Sequence, residues 1–257
     1  MLNAVIWGLI QGLTEFLPVS SSGHLVIIPA FLTELGYDVA PPSLAVTAVL
    51  HLGTLAAVLV YFREDVGRVL RFRTDPMGKK IGLMVAIATI PALVGLPLAA
   101  DINRFQASVV NVGWALMATG VILTCGQLLS NGERRLDGIR IPDAILIGVG
   151  QAIALIPGIS RSGTTISVGN ARKFEPTEAA RFSFLLGIPA IAGGGLLELM
   201  MISDTSDFGP ELLVGMAVAA VSGYFAIAVL LKALGRIGLA PFAFYCLIVG
   251  LATVLYF

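Results

Sequence analysis

The sequence predicts an all-α integral membrane protein with six transmembrane helices and two re-entrant helix-turn-helix hairpins, arranged as an inverted-topology repeat. Three observations carry that expectation. Of the 257 residues, 57% are hydrophobic and only 12% charged, against about 25% charged in a soluble domain. Six apolar runs approach the roughly 20 residues that a helix needs to cross a bilayer. Two further apolar stretches, one in each half of the chain, are cut short by polar turns and then restart.

Taken in order, the first broken stretch covers residues 3–17, stops at Pro18 and restarts near His24. Spans follow at 43–62, 80–100 and 107–129. The second broken stretch covers 142–156, stops at Pro157-Gly158 and restarts near Thr164, ahead of spans at 179–202, 211–232 and 239–257. Backbone interrupted at membrane depth is tolerated only when buried in protein or lining a wet cavity, so each broken stretch reads as a re-entrant hairpin. Pro91, Pro97 and Pro189 predict kinks, and Gly193, Gly194 and Gly195 predict close helix packing. Cys125 and Cys246 lie in apolar segments and read as small core hydrophobes. The N-terminal run lacks a basic region and is interrupted by Gln11 and Glu15, so a cleavable signal peptide is not expected.

The two broken stretches also match each other. A shift of 140 residues places Gln11 on Gln151, Ser20 on Ser160, Ser22 on Ser162 and Gly23 on Gly163. Farther on, "HLGT" at 51–54 resembles "LLGIP" at 185–189 at a slightly different offset. One membrane domain therefore divides into repeats at 1–135 and 136–257. Three spans per half turn the second repeat upside down, and sites in such folds lie where the broken segments meet near the midplane. Charge sets the orientation. Arg63, Arg68, Arg71, Arg73, Lys79, Lys80, Arg134, Arg135, Arg140, Arg172, Lys173, Arg181, Lys232 and Arg236 all fall on one side, which is the cytoplasm. The other side holds Arg104 with Glu34, Asp38, Asp101, Asp204, Asp207 and Glu211. Both termini then face outward, the first hairpin enters from outside and the second from the cytoplasm. Zero formal net charge and a pI of about 6.7 offer nothing to nucleic acid.

The remaining basic residue, Arg161, lies at the tip of the second hairpin, where a charge costs about 2.5–3.5 kcal/mol on insertion scales and is normally functional or paired. It could brace the halves by pairing with Glu15, but its neighbours suggest more. Gln11 and Glu15 are four residues apart and share a helix face. Glu15 faces the turn Ser20-Ser21-Ser22-Gly23-His24, and the other tip reads Ser160-Arg161-Ser162-Gly163-Thr164-Thr165. Each turn opens a helix, whose free N–H groups and dipole favour an anion. Two such termini with a guanidinium and several hydroxyls make a phosphate cradle. A carboxylate and a carboxamide beside phosphate oxygens suit a divalent cation, Mg²⁺ or Ca²⁺, with Glu15 and Gln11 as its ligands. A serine near a histidine suggests an activated nucleophile. His51, in the middle of the first full span, could line the same cavity or hydrogen-bond a neighbouring helix; the second reading keeps it outside the catalytic set.

"QGLTEFLPVSSSGHL" together with "PGISRSGTT" closely resembles the bacitracin-resistance family of undecaprenyl-pyrophosphate phosphatases, over nearly the whole chain. The resemblance implies that Glu15, Ser21, His24, Ser160, Arg161 and Thr165 occupy positions used for catalysis or phosphate binding. It also implies the reaction, removal of the terminal phosphate from undecaprenyl pyrophosphate to recycle the lipid carrier of cell-wall synthesis. The family's first motif carries Glu or Gln, three residues, then Glu; Gln11 is the Gln version, which leaves one carboxylate rather than two for a metal. The expected mechanism has Ser21 attack phosphorus with His24 exchanging its proton, or His24 as nucleophile with Ser21 as phosphate ligand. Glu15 and Gln11 hold the cation. Arg161, with Ser20, Ser22, Ser160, Ser162, Thr164 and Thr165, binds phosphate. The expected partners are the polyprenyl pyrophosphate lipid and the bilayer of the inner membrane, with the site opening to the outer face; a homodimer is left open. The rival expectation is a polyprenyl-phosphate transporter or flippase, because inverted repeats with broken helices are transporter architecture.

Overall fold

The computed structural model describes residues 1–37, 39–95, 97, 104–202 and 209–257. Asp38, Asp101, Asp204 and Asp207, and most of residues 96–100 of the second expected span, lie outside the described residues. Among the described residues, regular structure is helical, with no strand and one isolated bridge between Arg134 and Phe174.

Helices α1 (Leu2–Phe16) and α2 (Ser21–Glu34) form the first helix-turn-helix unit. They are followed by α3 (Leu44–Tyr61), the short α4 (Arg63–Leu70), α5 (Pro76–Gly95) and α6 (Val109–Leu128). A 3-10 turn at Leu136–Gly138 leads to α7 (Ile141–Ile153) and α8 (Arg161–Ala171), the second such unit. Helices α9 (Pro176–Met201), α10 (Pro210–Leu234) and α11 (Ala240–Tyr256) complete the chain. Five of these, α3, α5, α6, α9 and α10, are long and apolar enough to cross a membrane; α11 is apolar and has 17 residues. The chain is a multi-pass membrane protein.

Both second helices start earlier than the apolar pattern suggests, at Ser21 and Arg161. The cause is capping. Ser20 Oγ accepts from the Gly23 N–H at 3.3 Å, and Ser160 Oγ from the Gly163 N–H at 3.1 Å. A serine cap satisfies an otherwise orphaned donor and lets the helix begin within polar sequence. Helix α4, read from sequence as loop, begins with Glu64 and Asp65 in its first turn, where carboxylates favour a helix N-terminus.

Small residues set how closely the helices approach. A Cβ on Gly12 of α1 would lie 2.0 Å from Ser222 Oγ of α10, and one on Gly148 of α7 would lie 2.5 Å from the Ala88 carbonyl of α5. Helix α3 packs between α9 and α10, while α6 packs against α8 and α11. Buried Phe16 and Phe184 meet edge to face, their centroids 5.6 Å apart, and tie α1 to α9. Outward faces stay apolar, with Trp114, Val121, Phe225, Phe244 and Leu255 exposed where lipid tails would lie.

Two expectations are corrected here. A Cβ on Gly193 or Gly194 would meet nothing within 4 Å, and Gly194 borders a cavity, so of this run only Gly195 faces a neighbouring helix, where a Cβ would lie 3.5 Å from the His51 Cβ of α3. Cys125 is exposed on α6, while Cys246 is buried as expected. Pro91 and Pro189 lie inside α5 and α9, and Pro97 lies beyond the end of α5.

Charged side chains gather at one end of the bundle. Asp143 accepts from Arg134 Nη2 at 2.7 Å, Arg172 Nε at 2.8 Å and the Arg140 N–H at 3.0 Å. Arg181 pairs with Asp65, and Lys80 donates to the Asp137 carbonyl. The polar segments around 63–80, 134–143 and 172–181 are thereby held together. Burial pushes the Asp143 carboxyl up, but hydrogen bonds from Arg134, Arg172 and the Arg140 N–H outweigh this and hold it below the ordinary carboxylate range.

Candidate active site

The tips of the two helix-turn-helix units touch. A Cβ on Gly23 would lie 3.3 Å from the Gly158 Cα, and the Gly158 N–H donates to Ser22 Oγ at 3.4 Å. Gly158 has φ +96, a conformation open to glycine at little cost, and Thr119 of α6 clasps this turn. Its hydroxyl donates to the Gly158 carbonyl at 2.9 Å and accepts from the Ser160 N–H at 3.0 Å. The tips also repeat each other in detail: Ser20 and Ser22 hydroxyls lie 3.3 Å apart, as do those of Ser160 and Ser162. With Gly23 and Gly163 capped, the first N–H groups of α2 and α8 remain without intrahelical partners, where they favour an anion.

Beside the tips is a cavity of about 320 Å³. Its polar wall is formed by Glu15, Ser20, Ser21, Ser22, Ser160 and Arg161 from the two units, with His51 of α3, Glu198 of α9 and Gln106. Glu15 is the hub. Its Oε1 accepts from Arg161 Nη2 at 2.7 Å, and its Oε2 accepts from Ser21 Oγ at 2.7 Å and Gln11 Nε2 at 3.1 Å. The Glu15 and Arg161 side chains are 9% and 15% exposed, so this pair is desolvated but reaches the cavity. Arg161 also donates to the Ser183 carbonyl at 3.4 Å, and a Cβ on Gly187 would lie 2.1 Å from its Nη1. Only a residue without a side chain leaves room for the guanidinium there.

Of the residues expected from sequence, Glu15, Ser20, Ser21, Ser22, Ser160 and Arg161 come together on the cavity. Gln11, Ser162, Thr164 and Thr165 are buried behind it. Ser162 donates to the Leu17 carbonyl at 3.3 Å, and Thr165 bonds Ser183 Oγ at 2.6 Å and the Arg161 carbonyl at 2.8 Å. These hydroxyls hold the start of α8. The Oγ1 of Thr164 has no hydrogen-bond partner among the described residues.

Ser21 and His24, expected to work as a pair, have separate hydrogen-bond partners in this structure. His24 is 3% exposed, with Nδ1 2.7 Å from the Ser20 carbonyl and Nε2 2.7 Å from the Tyr245 hydroxyl. Its ring stacks nearly parallel on Tyr245. Neighbouring helices are the reason: Ser21 donates to Glu15 of α1, while His24, three residues on, is held by Tyr245 of α11. His51 does both things weighed for it: Nδ1 lies 2.9 Å from Glu198 Oε2 on the neighbouring helix, and the pair lines the cavity. Glu198 was missed from sequence because it stands alone within an apolar run. The available signal was two ionisable groups inside corresponding spans, which in a membrane are expected to pair.

For a cation, no group of three or more His, Cys, Asp or Glu side chains sits together among the described residues. The buried Oε1 of Gln11 lacks a hydrogen-bond partner while its Nε2 contacts Glu15. Gln11 and Glu15 thus offer oxygen donors of the kind hard cations take.

Comparison with known proteins shows the family. The family model described as "Bacitracin resistance protein BacA" matches residues 4–252. The chain is 40% identical to the undecaprenyl-diphosphatase of Methanobrevibacter smithii, over 98% of this chain and 95% of that one. It is 38% identical to the Halothermothrix orenii protein of the same name, covering 98% and 96% of the two chains. With that of Alcanivorax borkumensis it shares 41% identity over 97% and 96%. A match of this extent, carried through both hairpin tips, places the chain in the BacA family of bacitracin resistance proteins.

Proposed function

We propose that this protein is an undecaprenyl-diphosphatase, hydrolysing undecaprenyl pyrophosphate to undecaprenyl phosphate and inorganic phosphate. The reaction returns the lipid carrier to peptidoglycan synthesis. Bacitracin sequesters the same pyrophosphate, so added enzyme gives resistance. One observation carries the reading: two helix N-termini, Arg161 and the Ser21–Glu15 pair converge on one polar cavity within an apolar helical bundle.

Arg161 and the open N–H groups of α2 and α8 bind the terminal phosphate and stabilise the charge that develops on it. Ser21 Oγ attacks the terminal phosphorus, and its proton passes to Glu15, to which it is already hydrogen-bonded. The bridging oxygen–phosphorus bond breaks and the lipid phosphate leaves. His24, bonded to Ser20 and Tyr245, positions the turn that presents Ser21. Glu15 and Gln11 would hold a divalent cation, Mg²⁺ or Ca²⁺, which would offset the negative charge of the pyrophosphate.

In the membrane, α3, α5, α6, α9, α10 and α11 are the six spans, and the units α1–α2 and α7–α8 are the re-entrant hairpins. At about 1.5 Å per residue, the 17 residues of α11 reach most of the way across a hydrocarbon core of about 30 Å. The repeat at 1–135 and 136–257 is supported by the matching tips and by corresponding contacts, α1 with α10 and α7 with α5. The charged end is cytoplasmic by the positive-inside rule, so both termini face out and the cavity opens to the outer face of the plasma membrane.

Phosphate release from farnesyl pyrophosphate by the pure, detergent-solubilised protein tests the reaction. Sustained turnover is expected. Absence of release, together with movement of a polyprenyl phosphate across proteoliposomes, would replace the hydrolase with a carrier.

A further inference from the structure

The chain contains two histidines, and their surroundings divide their roles. His24 has both ring nitrogens engaged and lies off the cavity. His51 lies on the cavity, its side chain 23% exposed, with Nδ1 held by Glu198 at 2.9 Å and no hydrogen-bond partner for Nε2 among the described residues. A carboxylate only accepts hydrogen bonds. Nδ1 therefore carries the proton toward Glu198, and in the neutral ring Nε2 keeps its lone pair. This is the carboxylate–imidazole arrangement that orients a general base. Gly194, four residues before Glu198, and Gly195, whose Cβ would lie 3.5 Å from the His51 Cβ, leave the ring open space.

We propose that His51 is the general base for the second half of the reaction, the hydrolysis of a phosphorylated Ser21, and that Glu198 is its positioning residue. The proposal rests on the hydrolytic reading above. Ser21 and Glu15 suffice for the first transfer, because the serine proton already points at the carboxylate. They do not suffice for the second. Once Ser21 carries the phosphoryl group, Glu15 holds the serine proton and cannot also take one from water. A second base is required on the cavity wall, and His51 has a ring nitrogen available there. In the second step a water oxygen bonds to phosphorus, and the Ser21 Oγ–phosphorus bond breaks. The water proton goes to His51 Nε2, and Glu15 returns its proton to Ser21 Oγ. His51 then releases its proton with the inorganic phosphate.

The charged groups acting on His51 are Glu198 from α9, Glu15 from α1 and Arg161 from α8. Helix α10 meets this part of α3 through Met216 and Ala219, next to Gly53. The test uses farnesyl pyrophosphate labelled in its terminal phosphate, given to the pure full-length protein. His51→Gln should release about one equivalent of farnesyl phosphate, then slow by roughly 10²–10⁴, the usual worth of a general base, with acid-stable label accumulating on Ser21. Glu198→Gln should lower kcat more than it changes KM and move the ascending limb of kcat to lower pH, because the imidazole loses its carboxylate partner. His51→Gln turnover within a few-fold of wild type, or lost turnover without label on Ser21, would make the pair a structural brace. An unmoved limb in Glu198→Gln would assign that residue to packing. Wild-type protein that releases no phosphate would instead overturn the hydrolytic reading, and the role of the pair with it.

Discussion

Arg161 has one side chain and two calls on it, the Glu15 carboxylate and the incoming phosphate. If it served only as a brace, Arg161→Lys would keep the charge and most of the activity. A lysine ammonium is a point charge and cannot grip two phosphate oxygens in one plane. Arg161→Lys should therefore fold and insert normally, with kcat lower by about 10²–10³ and KM changed less, since the prenyl tail supplies much of the ground-state binding. Near wild-type turnover in steady-state assays would return Arg161 to the bracing role. Gly187→Ala tests the same group from behind. The added methyl would occupy the place of Nη1, so the guanidinium must move, and misplacement on that scale commonly costs about 10²-fold in rate. At Glu15, Glu15→Gln removes both the acceptor for the Ser21 proton and the cation ligand, and turnover should vanish. A chelator should silence the wild type, and Gln11→Glu should stay active; full wild-type activity in chelator would remove the ion from the mechanism.

Among the elements, the two hairpin units carry nearly identical tips under different constraint. Ser20 caps α2 at φ 69, a conformation a non-glycine residue adopts only when its surroundings impose it, whereas Ser160 caps α8 at an ordinary φ of −72. The strained cap belongs to the tip that carries Ser21. At the far end of α7, Asp143 fastens this element to the polar loops. Its carboxyl is held below the usual range in the folded state, so its contribution is present above the unfolded carboxylate pKa and is lost as pH falls through the lower folded value. Asp143→Asn should cost about 2 kcal/mol near neutral pH, because two arginines lose a charged acceptor but remain about a third exposed to solvent. The difference from wild type in thermal unfolding should shrink on acidification. A gap that stays constant down to pH 3 would deny the linkage.

At the scale of the whole molecule, one polar end joins Asp65 to Arg181 and Asp143 to Arg134 and Arg172. By the positive-inside rule this end is expected on the cytoplasmic side. With the exposed Cys125 replaced by serine, cysteines placed at Glu34 or Glu211 should react with an impermeant thiol reagent added to intact cells. Cysteines at Arg68 or Arg71 should react only after permeabilisation. The reverse pattern would invert the assigned topology and put the cavity on the cytoplasmic face.

Much of this was legible in the sequence because membranes make the rules strict. Apolar runs must be about as long as the bilayer is thick, backbone breaks must be sheltered, and basic residues collect on one side. Those constraints located the five helices long enough to cross a membrane, the two helix-turn-helix units and the tips bearing Glu15, Ser21 and Arg161. They were also enough to pair the tips, through Ser20 with Ser160 and Gly23 with Gly163. The roles of individual side chains were not legible, because these depend on which way a helix face turns once its neighbours pack. The same turn of α2 sends Ser21 to Glu15 and His24 away to Tyr245, although both stand in one motif. His51 and Glu198 lie 147 residues apart, and only the packing of α3 against α9 brings them to one cavity wall. Local pattern determined where polar groups enter the membrane; tertiary contact decided which of them meet.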